Sequence, residues 1–192
     1  PDRLIFGKAE YDQNNELQNS KENVLILKGK VSITSFSSSY AMEKDGQWGE
    51  KIVEKRPFQG QFTNFSNSED AENYFNKFYQ KISDEITLQV YSPKGSDKRF
   101  GRIIASGIKD ANPGATVSAK SLAKSFATLI SDDHNHPGKN YGNIRIGYGP
   151  SDGDLEYAEE LINLFSHQPI PPEFYVNRKG VRTGYNEKGK IK

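Results

Sequence analysis

Apolar residues along this chain alternate with polar ones over short runs and recur at helical spacing over two longer ones, and that change of period predicts its elements. Val24-Leu25-Ile26-Leu27 and Val31-Ser32-Ile33-Thr34 flank Lys28-Gly29-Lys30, which predicts a hairpin or one bent strand. A second β pair is expected around Ile52-Val53 and residues 58–62, divided by Pro57. Between the two pairs, Ser37-Ser38-Ser39 and the tight-turn dipeptide Asp45-Gly46 read as loops. Residues 1–22, with the polar cluster Asp12-Gln13-Asn14-Asn15, predict little structure. The first third therefore reads as a β-rich extension, residues 1–65, ahead of a main domain over 66–192.

Helical period appears next. Ser66 with Glu69 has the spacing of a capping box, and Tyr74, Phe75, Phe78, Tyr79 and Ile82 then share one helical face, a stripe that belongs to the core. Residues 85–91 alternate, with Ile86, Leu88 and Val90 on one side and Glu85 at the start of the strand. Pro93 to Asp97 turns the chain, and 99–106 returns it. Residues 110–114 read as loop, 118–125 as a short helix, and 126–130 as a strand. A second clear helix follows Ser151, with Leu155, Ala158, Leu161, Ile162 and Phe165 inward, and Pro169, Pro171 and Pro172 stop it. Residues 173–177 and 181–185 around Arg178-Lys179-Gly180 predict a closing hairpin. The pattern is that of an α/β chain with a mixed sheet flanked by helices.

Composition narrows what this chain can do. The 192 residues suffice for one substantial domain, and 11 Phe and 10 Tyr supply core area in an otherwise polar sequence, 34% hydrophobic. Net charge is +1 with both signs interspersed, which favours neither nucleic acid nor an anionic membrane, and no run is long enough to span a bilayer. The basic stretch 178–192 reads as a solvated surface. Cysteine is absent, so any zinc ligands must be histidines and carboxylates. The chain starts at Pro1, which we read as a piece of a larger polypeptide whose compartment the composition leaves open.

The candidate chemistry is concentrated in Ser131-Asp132-Asp133-His134-Asn135-His136-Pro137-Gly138 and, further on, Pro150-Ser151-Asp152-Gly153-Asp154. Two of three histidines lie one residue apart at the end of a predicted strand, whose alternation puts both on one face. A catalytic zinc takes three His or carboxylate ligands and keeps a position for water, whose pKa it lowers to about 7. Asp154 is the expected third ligand, because Ser151 as N-cap places it in the first turn of the last long helix. Glu85, alone at the mouth of a strand, is the candidate general base. Each feature also has a plainer reading. Ser151 and Asp154 fit helix capping, the histidines fit a solvated turn, Glu85 fits a surface carboxylate, and Asp132 and Asp133 are expected beside the ligands or in solvent. His167 reads as a residue at the C-terminal end of the helix, favoured there by the dipole.

His134-Asn135-His136-Pro137 followed by Ser151-x-x-Asp154, with Glu85 at a helix–strand junction upstream, resembles the JAMM metallopeptidase family, the JAB/MPN domain. The order of predicted elements is similar too, over residues of about 68 to 185. Asn135 between the histidines resembles the bacterial RadC-type branch. The resemblance implies a JAB/MPN-type, cytidine-deaminase-like mixed sheet and a zinc-dependent hydrolase of peptide or isopeptide bonds. It implies that His134, His136 and Asp154 hold Zn2+, that Glu85 is the general base and that Ser151 stabilises the oxyanion. An extended, detached JAB-like unit also resembles the toxin modules of larger bacterial exported proteins. That likeness implies a protein substrate in a target-cell cytoplasm and an immunity protein as partner. The chain departs from the family in the fourteen residues 137–150 between His136 and Ser151, a longer spacing than is usual there, which reads as an ordered loop or small flap. Competing readings are a non-catalytic JAB-fold binding domain, in which that segment has broken the site, and a RadC-like DNA-associated protein, against which the near-neutral charge argues.

Overall fold

In the computed structural model of this chain, residues 2–5, 24–27, 31–82, 84–108, 111–137 and 148–191 are described. Alternating and helical runs fold as a mixed α/β arrangement. In chain order the elements are β1 (Asp2–Ile5), β2 (Val24–Leu27), β3 (Val31–Asp45), β4 (Lys51–Phe65), α1 (Ser68–Phe78), β5 (Ile86–Ser92), β6 (Phe100–Ala105), α2 (Pro113–Lys124), β7 (Thr128–Asn135), α3 (Asp152–Leu164), β8 (Glu173–Arg178), β9 (Val181–Asn186) and β10 (Gly189–Lys190). Eight strands form one sheet in the order β10-β9-β8-β7-β5-β6-β4-β3. The β7–β8 pair is parallel, which requires a crossover, and α3 supplies it; the other neighbours in the sheet are antiparallel.

Aromatic and branched residues are divided between the two faces by the alternation of the central strands. On one face α1 places Tyr74, Phe75 and Phe78 against Ile86, Leu88, Val90 and Ile103. On the other, α2 and α3 bury Ala119, Leu122, Ala158, Leu161 and Phe165 over Leu129, Phe174, Val176 and Tyr185. The helical stripes and the closing hairpin thus lie where the sequence periodicity expects them.

The N-terminal third differs in its pairing. Of the two readings of 24–34, a hairpin or one bent strand, the hairpin does not form: β2 pairs with β1, Asp2 opposite Leu27, and β3 pairs instead with β4 along fifteen positions from Val31 opposite Phe65 to Asp45 opposite Lys51. Lys28-Gly29-Lys30 and Asp12-Gln13-Asn14-Asn15 lie outside the described residues. Ser37-Ser38-Ser39 is strand rather than loop, because the ladder satisfies its backbone while Phe36 and Tyr40 on either side pack against Phe58 at ring separations of 5.8 and 5.9 Å. Pro57 does not divide β4. Its neighbour on the far side, β6, reaches only Gln61–Phe65, so a missing N–H at Pro57 interrupts no ladder on that side. β4 joins the hairpin to β6 and so to the main sheet.

Two helix starts are corrected. The cap of α1 is Asn67, whose side-chain oxygen accepts from the Glu69 N–H at 2.8 Å, not Ser66 one residue earlier. α2 begins at Pro113 and not near Ser118, since a proline in the first turn lacks only an N–H that the helix has no use for. His167 is not in the last helix, which ends at Leu164; its ring lies beside Phe126 and Phe165, with Nε2 3.2 Å from the Ala127 carbonyl.

The close approach of α1 to the sheet depends on Gly101, where an added Cβ would stand 2.3 Å from that of Ala71. Gly101→Ala is expected to destabilise the fold by about 1–3 kcal/mol through overpacking. Ala71→Gly in the same chain should recover part of the loss, as read by urea denaturation; an unperturbed midpoint for Gly101→Ala would contradict this packing.

Candidate metal centre

Strand β7 carries His134 and ends at Asn135, directly before His136, and an irregularity in its pairing decides which way the two histidines face. Tyr91 lies opposite Leu129 but Val90 lies opposite Ser131, so Ile130 is an extra residue without a partner on β5. Before it, Leu129 points into the core beneath α2 and α3, while Ile130 packs on the α1 side. After it the parity is reversed: Asp132 lies opposite Gln89 and His134 opposite Thr87. His134 and His136 consequently open towards the α2–α3 side, where a cavity of about 250 Å3 is lined by Glu85, Thr87, Asn112, Ser151, Asp154 and Tyr157 as well as by the two rings.

Asn135, between the histidines, faces the opposite way and closes the start of β5. Its Oδ1 accepts from the Ile86 N–H at 2.7 Å and its Nδ2 donates to the Asp84 carbonyl at 3.1 Å. That pair of bonds brackets Glu85, whose own N–H donates to the Ile108 carbonyl at 3.2 Å. His136 is fixed from the other side, its N–H donating to the Asn177 carbonyl at 3.1 Å. Asp133 shares the face of Asn135 and is held by Arg182, at 2.7 and 3.0 Å, and by Asn177 at 3.0 Å.

The third group arrives from α3. Ser151 caps this helix: its Oγ accepts from the Asp154 N–H at 3.3 Å, and the Asp154 carboxylate accepts from the Ser151 N–H at 2.6 Å. The same carboxylate reaches both imidazoles, Oδ1 to His134 Nε2 and Oδ2 to His136 Nε2, each at 3.0 Å. Helix capping by Ser151-x-x-Asp154 is therefore compatible with the approach of the same carboxylate to both histidines. Residues 138–147 of the long segment lie outside the described residues, but the segment as a whole does not part Asp154 from the histidines.

His134, His136 and Asp154 form a group that could hold a metal ion, with one ligand atom from each all within 4.8 Å. The donor set suits zinc, which binds imidazole nitrogen and carboxylate oxygen at about 2.0–2.2 Å. Tetrahedral ligands at such lengths stand roughly 3.3 Å apart, close to the 3.0 and 3.1 Å separations present. The contact between the two Nε2 atoms, 3.1 Å, points the same way. Two N–H groups that both point at Asp154 also point near one another and repel, whereas two lone pairs converging on a cation do not. The same donors also suit other divalent ions.

Electrostatics follow from this packing. Burial by itself would lower the His134 pKa, but the Asp154 carboxylate, with smaller help from Glu85 and Asp132, outweighs it and draws the imidazole up to about 9. Burial would raise Asp154, yet the two imidazoles hold it well below the usual carboxylate range. That Glu85 acts on His134 is consistent with its place in the cavity wall.

Asp132 and Asp133 are both buried and neither faces solvent. Asp132 Oδ2 accepts from Tyr157 OH at 2.7 Å and from Gln89 Nε2 at 3.0 Å, and burial pushes its carboxyl up to about 6 against those two bonds. Gln89, Tyr157, Thr87 and Asn112 belong to this site, and sequence reasoning misses all four. Tyr157 carries a readable signal, since it stands three residues after Asp154 and hence on the same helical face. No protein-family model matches the sequence, and no curated protein or solved structure matches it either.

In chelator-treated protein the ion pair sets a slope of stability against pH. A His134 pKa raised from 6.5 to about 9 contributes stability that is complete below about pH 6.5 and is lost as pH rises through 9. Denaturation midpoints of the metal-free protein should fall across that window, and zinc, which binds deprotonated histidines, should remove the fall. A flat metal-free profile would contradict the assigned pairing.

Proposed function

We propose that this chain is a zinc-dependent hydrolase of peptide or isopeptide bonds, of the JAMM type. The observation that supports it most is the meeting of His134, His136 and Asp154 from two distant elements, with the Glu85 side chain in the wall of the same cavity. A structural capping box alone has no need of two buried imidazoles, and a solvated turn would leave them exposed; their relative exposures are 3% and 7%.

His134, His136 and Asp154 would hold the ion, which when bound supplies a Lewis acid and lowers the pKa of water to about 7. The remaining work falls to the chain. The Glu85 carboxylate takes a proton from the attacking water as its oxygen bonds to the scissile carbonyl carbon. It then returns that proton to the amine nitrogen as the carbon–nitrogen bond breaks. Ser151 Oγ accepts from the Asp154 N–H, which leaves the hydroxyl proton to donate to the oxyanion. Asn135 holds Ile86 and Asp84 on either side of Glu85 and so keeps that carboxylate at the cavity mouth.

Protein purified without added metal should carry close to one zinc per chain by elemental analysis, and His134→Ala or Asp154→Ala should lose it. Folded protein that neither carries zinc nor takes it up would sink the enzyme reading. Glu85→Gln should keep the metal while hydrolysis falls by roughly 10²–10⁴; full activity in that variant would remove Glu85 from its role.

A further inference from the structure

A second and larger cavity, about 800 Å3, runs along the β3–β4 hairpin and is floored by Phe36, Tyr40 and Phe58, with Arg56 at one side and Ser106 and Ile108 at its inner end. Its aromatic floor lies on the sheet face that bears α2 and the metal cavity. Phe36 is opposite Gly60, and its ring occupies the space that a Cβ there would fill, 2.1 Å from Cζ, so the ring lies flat across the glycine. The same ring abuts the first turn of α2, 3.1 Å from a Cβ built on Gly114. Asn112 and Ala115, in and beside that turn, line the metal cavity.

The two cavities share a wall. Ser106 Oγ, in the groove, bonds Asn112 Oδ1, in the metal cavity, at 2.5 Å, and Asn112 Nδ2 donates to Thr87 Oγ1 at 3.0 Å. Glu85 is joined to Ile108 of the groove through its backbone. Across the sheet the histidine strand β7 and Phe36 on β3 are separated by β5, β6 and β4. Four inter-strand steps of about 4.8 Å make roughly 19 Å, the length of five or six residues of extended chain. Among the described residues no acidic side chain lines the groove, and the cation among them, Arg56, has Glu54 at 3.6 Å.

We propose that this groove is a specificity subsite, which holds a large apolar or aromatic side chain of an extended polypeptide substrate five or six residues from the bond broken at the metal cavity. The inference rests on the peptidase reading above. It gives that reading a substrate class: an unfolded or tail segment long enough to span both cavities, rather than a dipeptide or a compact protein surface. Aromatic rings that line an open groove take such an anchor, and anchors of this kind carry much of the affinity of a peptide.

The test uses randomised dodecapeptides. Zinc-loaded Glu85→Gln protein, immobilised, should retain a pool enriched about tenfold in Phe, Tyr, Trp or Leu at one position, and Tyr40→Ala in that background should abolish the enrichment. Tyr40 is only partly buried on the hairpin, and Phe36→Leu provides a second, gentler variant should Tyr40→Ala unfold. Fragments that the native zinc-loaded protein makes from the same library should carry that side chain five or six residues from the new terminus. Enrichment that is absent, or that persists in both variants, would overturn the subsite while leaving hydrolysis untouched. Enrichment without hydrolysis would instead contradict the peptidase reading and the spacing built on it.

Discussion

Everything at the candidate metal centre depends on one residue without a partner on β5. Without Ile130 as a bulge, strict alternation from the buried Leu129 would turn Asp133 and Asn135 to the cavity and His134 and His136 to the α1 side. With it, the side chains of Asp132, Asp133, His134, Asn135 and His136 each find a partner, although the strand is buried on both faces. Asn135 and Asp133 are satisfied on one side by β5, β8 and Arg182, and Asp132 and the histidines on the other by α3, Gln89 and Tyr157. Burying a strand this polar is costly unless its side chains are bonded, which ties the bulge, the β7–β8 pairing and the helix position into one solution.

The start of α3 concentrates several of these demands on one carboxylate. Asp154 caps its own helix through the Ser151 N–H and engages both imidazoles, so the orientation of the helix and that of the ligand set are the same quantity. Beneath it, a buried chain runs from Tyr157 and Asp132 through Gln89 to Ser118 at 2.6 Å and on to Arg102 at 3.1 Å. The Arg102 guanidinium lies over the Phe62 ring at 4.9 Å, and Phe62 packs on Phe36 at 4.4 Å. The candidate metal cavity and the aromatic groove are thus joined by one continuous run of polar and ring contacts under α2.

Much of this is legible in the order and spacing of residues. The stripe Tyr74, Phe75, Phe78 and Tyr79, the alternation of 86–90, and Ser151-x-x-Asp154 ahead of Leu155, Ala158 and Leu161 each carry their element in local spacing, and the structure follows them. Residue chemistry and order lead one to expect the convergence of His134, His136 and Asp154, and the three do meet. Features set by tertiary neighbours are illegible. Ile130 reads as an ordinary strand residue, and its bulge is known only from its partners on β5. The serine triplet and Pro57 carry loop signals that the fifteen-residue ladder overrides, because one edge of β4 is open where the proline stands. Asn67 and Ser66 are equally good caps by residue type. Asp132 reads equally as a neighbour of the ligands or as solvated, because nothing in the sequence announces that Gln89 and Tyr157 will enclose it.

Anomalous diffraction at the zinc edge, from crystals grown with zinc, tests the metal centre most directly. One strong peak is expected about 2.0–2.2 Å from Nε2 of His134, Nε2 of His136 and a carboxylate oxygen of Asp154, inside the cavity that Glu85 borders. A peak held by other residues, or none within reach of these three, would contradict the assignment.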